Sequence, residues 1–75
     1  MERYKNLSGT SSISFYQCNV DSITIRFNDG WFYLYSNMSA GAGNISQMKT
    51  LAIDGFGLNS FIMKNVKKHY IRKWK

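Results

Sequence analysis

Catalysis needs a nucleophile, a base or a metal set, and this chain holds few candidates. Cys18 and His69 are its only cysteine and histidine, so a zinc site of the usual ligand spacing cannot form within one chain. The four carboxylates are Glu2, Asp21, Asp29 and Asp54. They fall in the N-terminal segment, in two turns and at a helix end, an arrangement that does not pair an acid with a base. A Cys18–His69 dyad would require the first strand to lie beside the last helix. His69 reads more simply as a structural histidine on the inner or boundary face of that helix, and Cys18 as a small, half-buried hydrophobe. The pattern predicts no enzyme, no metal and no cofactor.

Two other groupings stand out. The chain carries ten Lys or Arg against four Asp or Glu, a formal charge of +6, and the excess is uneven. Lys64, Lys67, Lys68, Arg72, Lys73 and Lys75 crowd the C-terminus with no acid among them. Such asymmetry points to a polyanionic partner, although basic residues near a helix C-terminus also answer the macrodipole. The second grouping is "NDGWFYLYS", where Trp31, Phe32, Tyr33 and Tyr35 follow Asp29-Gly30. On a strand these side chains alternate between faces, so one core cannot take them all.

The elements that would position these groups can be read from periodicity. Met1 to Ser11 is polar and without a clear period, a loose lead-in, and residues 12–75 form a single domain. Ile13 to Asn19 is rich in strand formers. "SITIRFN" alternates Ile23, Ile25 and Phe27 against Thr24, Arg26 and Asn28, the pattern of a strand with one buried side. Asp29-Gly30 fits a two-residue type I′ hairpin loop. That loop sets Phe27 opposite Phe32, Arg26 opposite Tyr33, Ile25 opposite Leu34 and Thr24 opposite Tyr35. Phe32 and Leu34 then join the core, while Trp31, Tyr33 and Tyr35 share the other face with Arg26. A slip of one residue would invert the partition.

"NMSAGAG" reads as a small-residue loop. Asn44, with Gln47 three residues on, fits a capping box; Ile45, Met48 and Ala52 line one side of the helix, and Gly55 is a natural stop. Asn59 or Ser60 would cap a final amphipathic helix reaching the C-terminus. On it Ile62, Val66, His69 and Tyr70 face inward, and Lys64, Lys67, Lys68, Arg72 and Lys75 span an arc of roughly 140° opposite. The predicted architecture is α+β: a three-stranded antiparallel meander followed by two helices packed on one sheet face. Its expected core is Ile23, Ile25, Phe27, Phe32, Leu34, Phe61, Ile62 and Val66.

The order of these motifs resembles the KTSC domain, a short domain found alone in bacterial and phage proteins and at the C-terminus of some lysyl-tRNA synthetases. A Ser/Ile lead into a strand holding Tyr16, then Ile23-x-Ile25-x-Phe27, Asp29-Gly30 and Tyr33-Leu34-Tyr35 carry the resemblance, which extends through "GFGLNSFIMKNVKKHY" and spans about Ser12 to Tyr70. On that match Gly57 and Asn59 hold the turn and cap, Ile62 packs inward and Tyr70 closes the helix. The Pro that often follows the Tyr-x-Tyr strand in the family is missing here, and "NMSAGAG" stands in its place. The resemblance implies a suspected RNA-binding role and no assigned activity.

Together these features predict a small, non-enzymatic module binding RNA or single-stranded nucleic acid. Lys64, Lys67, Lys68, Arg72 and Lys75 would hold phosphates, and Arg26, Trp31, Tyr33 and Tyr35 would meet bases. The competing reading is a protein-interaction module or homo-oligomer using the aromatic face. No apolar run approaches a membrane span and the N-terminus has no signal-like stretch, so a cytoplasmic protein without a membrane partner is expected.

Overall fold

The computed structural model describes residues 1–75. Five strands form one antiparallel sheet in sequential order: β1 (Glu2–Arg3), β2 (Ile13–Cys18), β3 (Ser22–Phe27), β4 (Phe32–Ser36) and β5 (Arg72–Trp74). Between β4 and β5 run α1 (Asn37–Ala40), α2 (Ala42–Asp54) and α3 (Leu58–Phe61), the last continuing through a π turn at Ile62–Val66. The fold is α+β, with two strands more than the predicted meander. No helix is long and apolar enough to cross a membrane.

Both additional strands come from segments expected to be something else. The N-terminal lead-in contributes β1, whose Arg3 pairs with Phe15. It also buries Tyr4, whose hydroxyl accepts a hydrogen bond from the Leu58 N–H at 3.3 Å. That bond serves the start of α3, where Gly57 in a left-handed conformation occupies the cap position without a side-chain cap. Neither Asn59 nor Ser60 is needed there. Gly55 ends α2 with φ 78°, as expected, and a Cβ at this position would lie 2.5 Å from the Lys5 side chain. The N-terminal segment therefore packs directly onto the α2 stop.

The other additional strand replaces most of the predicted final helix. Helical structure stops at Val66, after Lys67 N–H bonds back to the Ile62 carbonyl at 2.7 Å. The chain then turns and Ile71 N–H bonds Leu34 at 2.7 Å, so that Phe32, Tyr33 and Leu34 pair with Trp74, Lys73 and Arg72. A helix running to the C-terminus would have left β4 an open edge and Trp74 without a neighbour. Pairing satisfies a row of backbone groups and covers that edge. The helical reading of Arg72 and Lys75 fails for this reason, and His69 is exposed rather than turned inward.

The decisive difference lies in the hairpin. Gly30 N–H bonds the Phe27 carbonyl and Phe27 N–H bonds that of Trp31, both at 2.9 Å, closing a three-residue loop over Asn28, Asp29 and Gly30. A type I′ turn needs positive φ at two positions. Here Gly30 supplies one (φ 91°), and neither Asn28 nor Asp29 adopts it. Asp29 instead accepts the Trp31 N–H at 3.0 Å through its side chain, a local bond typical of aspartate in turns. The extra loop residue slips the register by one. Ile23 pairs with Tyr35, Thr24 with Leu34, Ile25 with Tyr33 and Arg26 with Phe32.

The predicted partition is therefore inverted. Tyr35 is 1% exposed in a core with Ile23, Ile25, Ile45, Met48, Ala52, Leu58, Ile62 and Val66, and Phe27, Tyr33, Phe61 and Tyr70 pack against it. Phe32 and Leu34, predicted for the core, lie on the opposite face. Asn37–Ala40, read as loop, is a helical turn that Ser36 caps, with Ser39 returning the bond. Asn44 is not a cap; it sits inside α2 and donates to the Ala40 carbonyl at 2.8 Å.

Candidate nucleic-acid interface

All the helices lie against one side of the sheet, so the other side is built by strands alone. A β-bulge decides what reaches it. Ile13 pairs with Phe27 but Phe15 pairs with Arg26, leaving Ser14 extra. Without the bulge, alternation would send Ile13 and Phe15 to the same face. With it, Ile13 enters the core and Phe15 joins the open side.

The ladders then place one residue from every strand in a single row: Arg3, Phe15, Arg26, Phe32 and Trp74 are successive cross-strand partners. The Arg26 guanidinium lies 5.9 Å from the Phe15 ring centre and 5.3 Å from that of Phe32. Phe32 and Trp74 stack at 5.3 Å with only 2° between ring planes. Arg72 crosses over the Trp74 ring at 4.9 Å. A neighbouring row holds Gln17, Thr24, Leu34 and Arg72. Neither row contains a carboxylate. Cross-strand pairs of this kind stabilise a sheet by about 0.2–1 kcal/mol each, which is one use for the row. It leaves the charge of three arginines unanswered, and Arg26 Nε is buried with no hydrogen-bond partner.

The sequence-predicted site residues are divided between the two sides. Arg26 and Arg72 belong to the open face. Tyr33 and Tyr35 face the helices, where they meet Lys67 and Lys68 around a cleft. Tyr35 donates its hydroxyl proton to the Lys67 carbonyl at 3.3 Å, and burial, reinforced by Tyr33 and Tyr70, pushes that hydroxyl well above the ordinary tyrosine range. Trp31 sits at the hairpin end beneath Lys73 and Lys75, 5.3 and 5.7 Å from its ring centre. Lys64 is exposed on the π turn. The basic residues thus do not form one stripe, and the rings of Tyr33 and Tyr35 are not available for stacking on the open sheet.

Sequence reasoning missed Phe15, Phe32, Trp74 and Arg3. Alternation within β4 had separated Phe32 from Tyr33 and Tyr35 correctly, but which set faces the helices depended on the loop length. Among His, Cys, Asp and Glu side chains, no group of three is placed to hold a metal ion. Comparison with protein-family models, with curated proteins and with solved structures finds no match to this chain.

Proposed function

We propose that the protein is a non-enzymatic module that binds RNA or single-stranded DNA on the open face of its sheet. The observation that carries this reading is the carboxylate-free row spanning all five strands, with rings and guanidinium groups side by side. Unpaired bases stack on protein rings for roughly 1–3 kcal/mol each, and arginines neutralise the backbone beside them. A duplex offers no free base faces, so a single strand fits better.

Trp74 is the entry point. Arg72 covers its ring in the free protein; a base takes that place while Arg72 turns to a phosphate. Arg26, held by the two phenylalanines, presents a planar fork suited to phosphate or to a base edge. Arg3 extends the charge toward β1. Lys67 and Lys68 lie on the far side and take no part in strand contact. The resemblance to the KTSC domain, which rests on motif order, points the same way.

Fluorescence anisotropy with a labelled random RNA 12-mer tests this at low and near-physiological salt. Binding should weaken with salt and by about tenfold or more in Trp74→Ala or Phe32→Ala. The Lys67→Glu/Lys68→Glu protein should change far less, each variant being checked for folding by circular dichroism. Absence of binding at low salt overturns the reading. Salt-insensitive capture of a protein by the same face would favour the interaction-module alternative instead.

A further inference from the structure

A second site lies on the helix side of the sheet and is independent of strand binding on the open face. An open cleft of about 550 Å³ lies between the hairpin end and the turn that links the π turn to β5. That volume falls within the roughly 300–1,000 Å³ of small-ligand sites. Phe27, Tyr33, Tyr70, Lys67, Lys68 and Lys73 define it.

Its walls are flat. The Tyr33 ring meets Phe27 at 5.1 Å and 81°, and Tyr70 at 5.1 Å and 84°. Rings set at right angles form a corner that accepts another ring by stacking on one wall and edge contact with the next. Its rim is cationic. Lys73 pairs with Tyr33 across the sheet, and its Nζ lies 5.7 Å from the Tyr33 ring centre and 5.9 Å from that of Tyr70. Lys67 also lines the cleft, its backbone fixed where its carbonyl accepts the Tyr35 hydroxyl. Asp29 is the one carboxylate on the cleft, and its Oδ1 already accepts the Trp31 N–H. Three lysines therefore line the cleft against a single carboxylate, an excess of positive charge that a bound anion relieves.

One further group on the cleft is polar and uncharged. Asn59 borders the cleft, and its Oδ1 is buried without a hydrogen-bond partner. A side-chain amide both donates and accepts, which matches the edge of a nucleobase but finds no counterpart on a plain phenyl ring. Inorganic phosphate would leave the aromatic walls unused, and a divalent cation would be repelled. We propose that this cleft binds a nucleoside monophosphate, its base against Tyr33 and Tyr70 near Asn59 and its phosphate among Lys67, Lys68 and Lys73.

The test is a ¹⁵N-resolved NMR titration of the whole protein with AMP and UMP, run beside adenosine and inorganic phosphate. Saturable shifts at Tyr33, Asn59, Lys68 and Lys73 are expected with at least one nucleotide. Adenosine and phosphate should each bind at least about tenfold more weakly than that nucleotide. Lys68→Glu and, separately, Lys73→Gln should lower nucleotide affinity about tenfold, while Phe32→Ala on the opposite face leaves it unchanged. The proposal is overturned if neither nucleotide gives saturable shifts at millimolar concentration, if phosphate alone reproduces them, or if they map to the open face. RNA anisotropy with Phe32→Ala reports on the open face alone, so either site can fail without the other.

Discussion

Leu34 and Tyr35 are neighbours in the chain, yet they serve opposite faces of the sheet. The helix side holds Ile23, Ile25, Tyr33 and Tyr35 under a cover of Ile45, Met48, Leu58 and Ile62. There the Tyr35 hydroxyl is answered internally by the Lys67 carbonyl. The open side holds Phe15, Phe32, Leu34 and Trp74 with no cover, and its cations rest on rings rather than on acids. Both faces are aromatic, so composition does not separate them. What differs is whether a second layer completes the packing, and an aromatic face without one is where a partner gains most.

The contrast predicts unequal costs for adjacent truncations. Tyr35→Ala should lose about 3–5 kcal/mol of stability, a large share of what a small domain has. Leu34→Ala should lose no more than about 1 kcal/mol. Urea unfolding followed by circular dichroism measures both, and a larger loss for Leu34→Ala than for Tyr35→Ala would mean that the register is the two-residue-loop one after all. Next in size is binding: Phe32→Ala should weaken RNA by about 1–3 kcal/mol, and Tyr33→Phe, which keeps the ring, should leave it unchanged.

The hairpin loop itself can be probed. Gly30 sits at φ 91° with space for a Cβ, the nearest atom being Lys75 Cε at 3.7 Å. Gly30→Ala should therefore cost about 1 kcal/mol through backbone conformation rather than by clash. A much larger loss in a thermal melt would point to a different turn.

pH offers a further handle. Burial raises the Tyr35 pKa above its ordinary value of 10.0, so the folded state holds this proton more tightly than the unfolded chain. The associated stability is fully present below about pH 10 and declines as pH rises above it. Tyr35→Phe should flatten that decline in alkaline denaturation. The smallest effect concerns salt: removing Arg72 should reduce the slope of log affinity against log salt by about 0.7 for a single strand.

Much of the fold was legible locally. The alternation of Ile23, Ile25 and Phe27, the helical spacing of Ile45, Met48 and Ala52, and the stop at Gly55 depend on neighbours within a few residues, and each stands in the structure. The segment after Val66 misled because Lys, Arg, Tyr and Trp at mixed spacing tolerate helix or strand equally, and propensity is a weak prior against tertiary pairing. The site was less legible still. Tyr33 and Tyr35 were grouped correctly and put on the wrong side, which carried Arg26 into the wrong company and hid Phe32 and Trp74.

By itself the sequence determined that a hairpin forms at Asp29-Gly30, that β4 carries two distinct aromatic sets, and that cations concentrate at the C-terminus. These are consequences of alternation, turn chemistry and composition. Only the tertiary structure decided which aromatic set is covered, that Ser14 bulges to send Phe15 outward, and that the basic tail becomes a strand. The reason is that both sets on β4 are apolar enough to be buried. The choice between them fell to one loop residue, to the free edge of β4 that β5 could occupy, and to the helices that had to rest on one side.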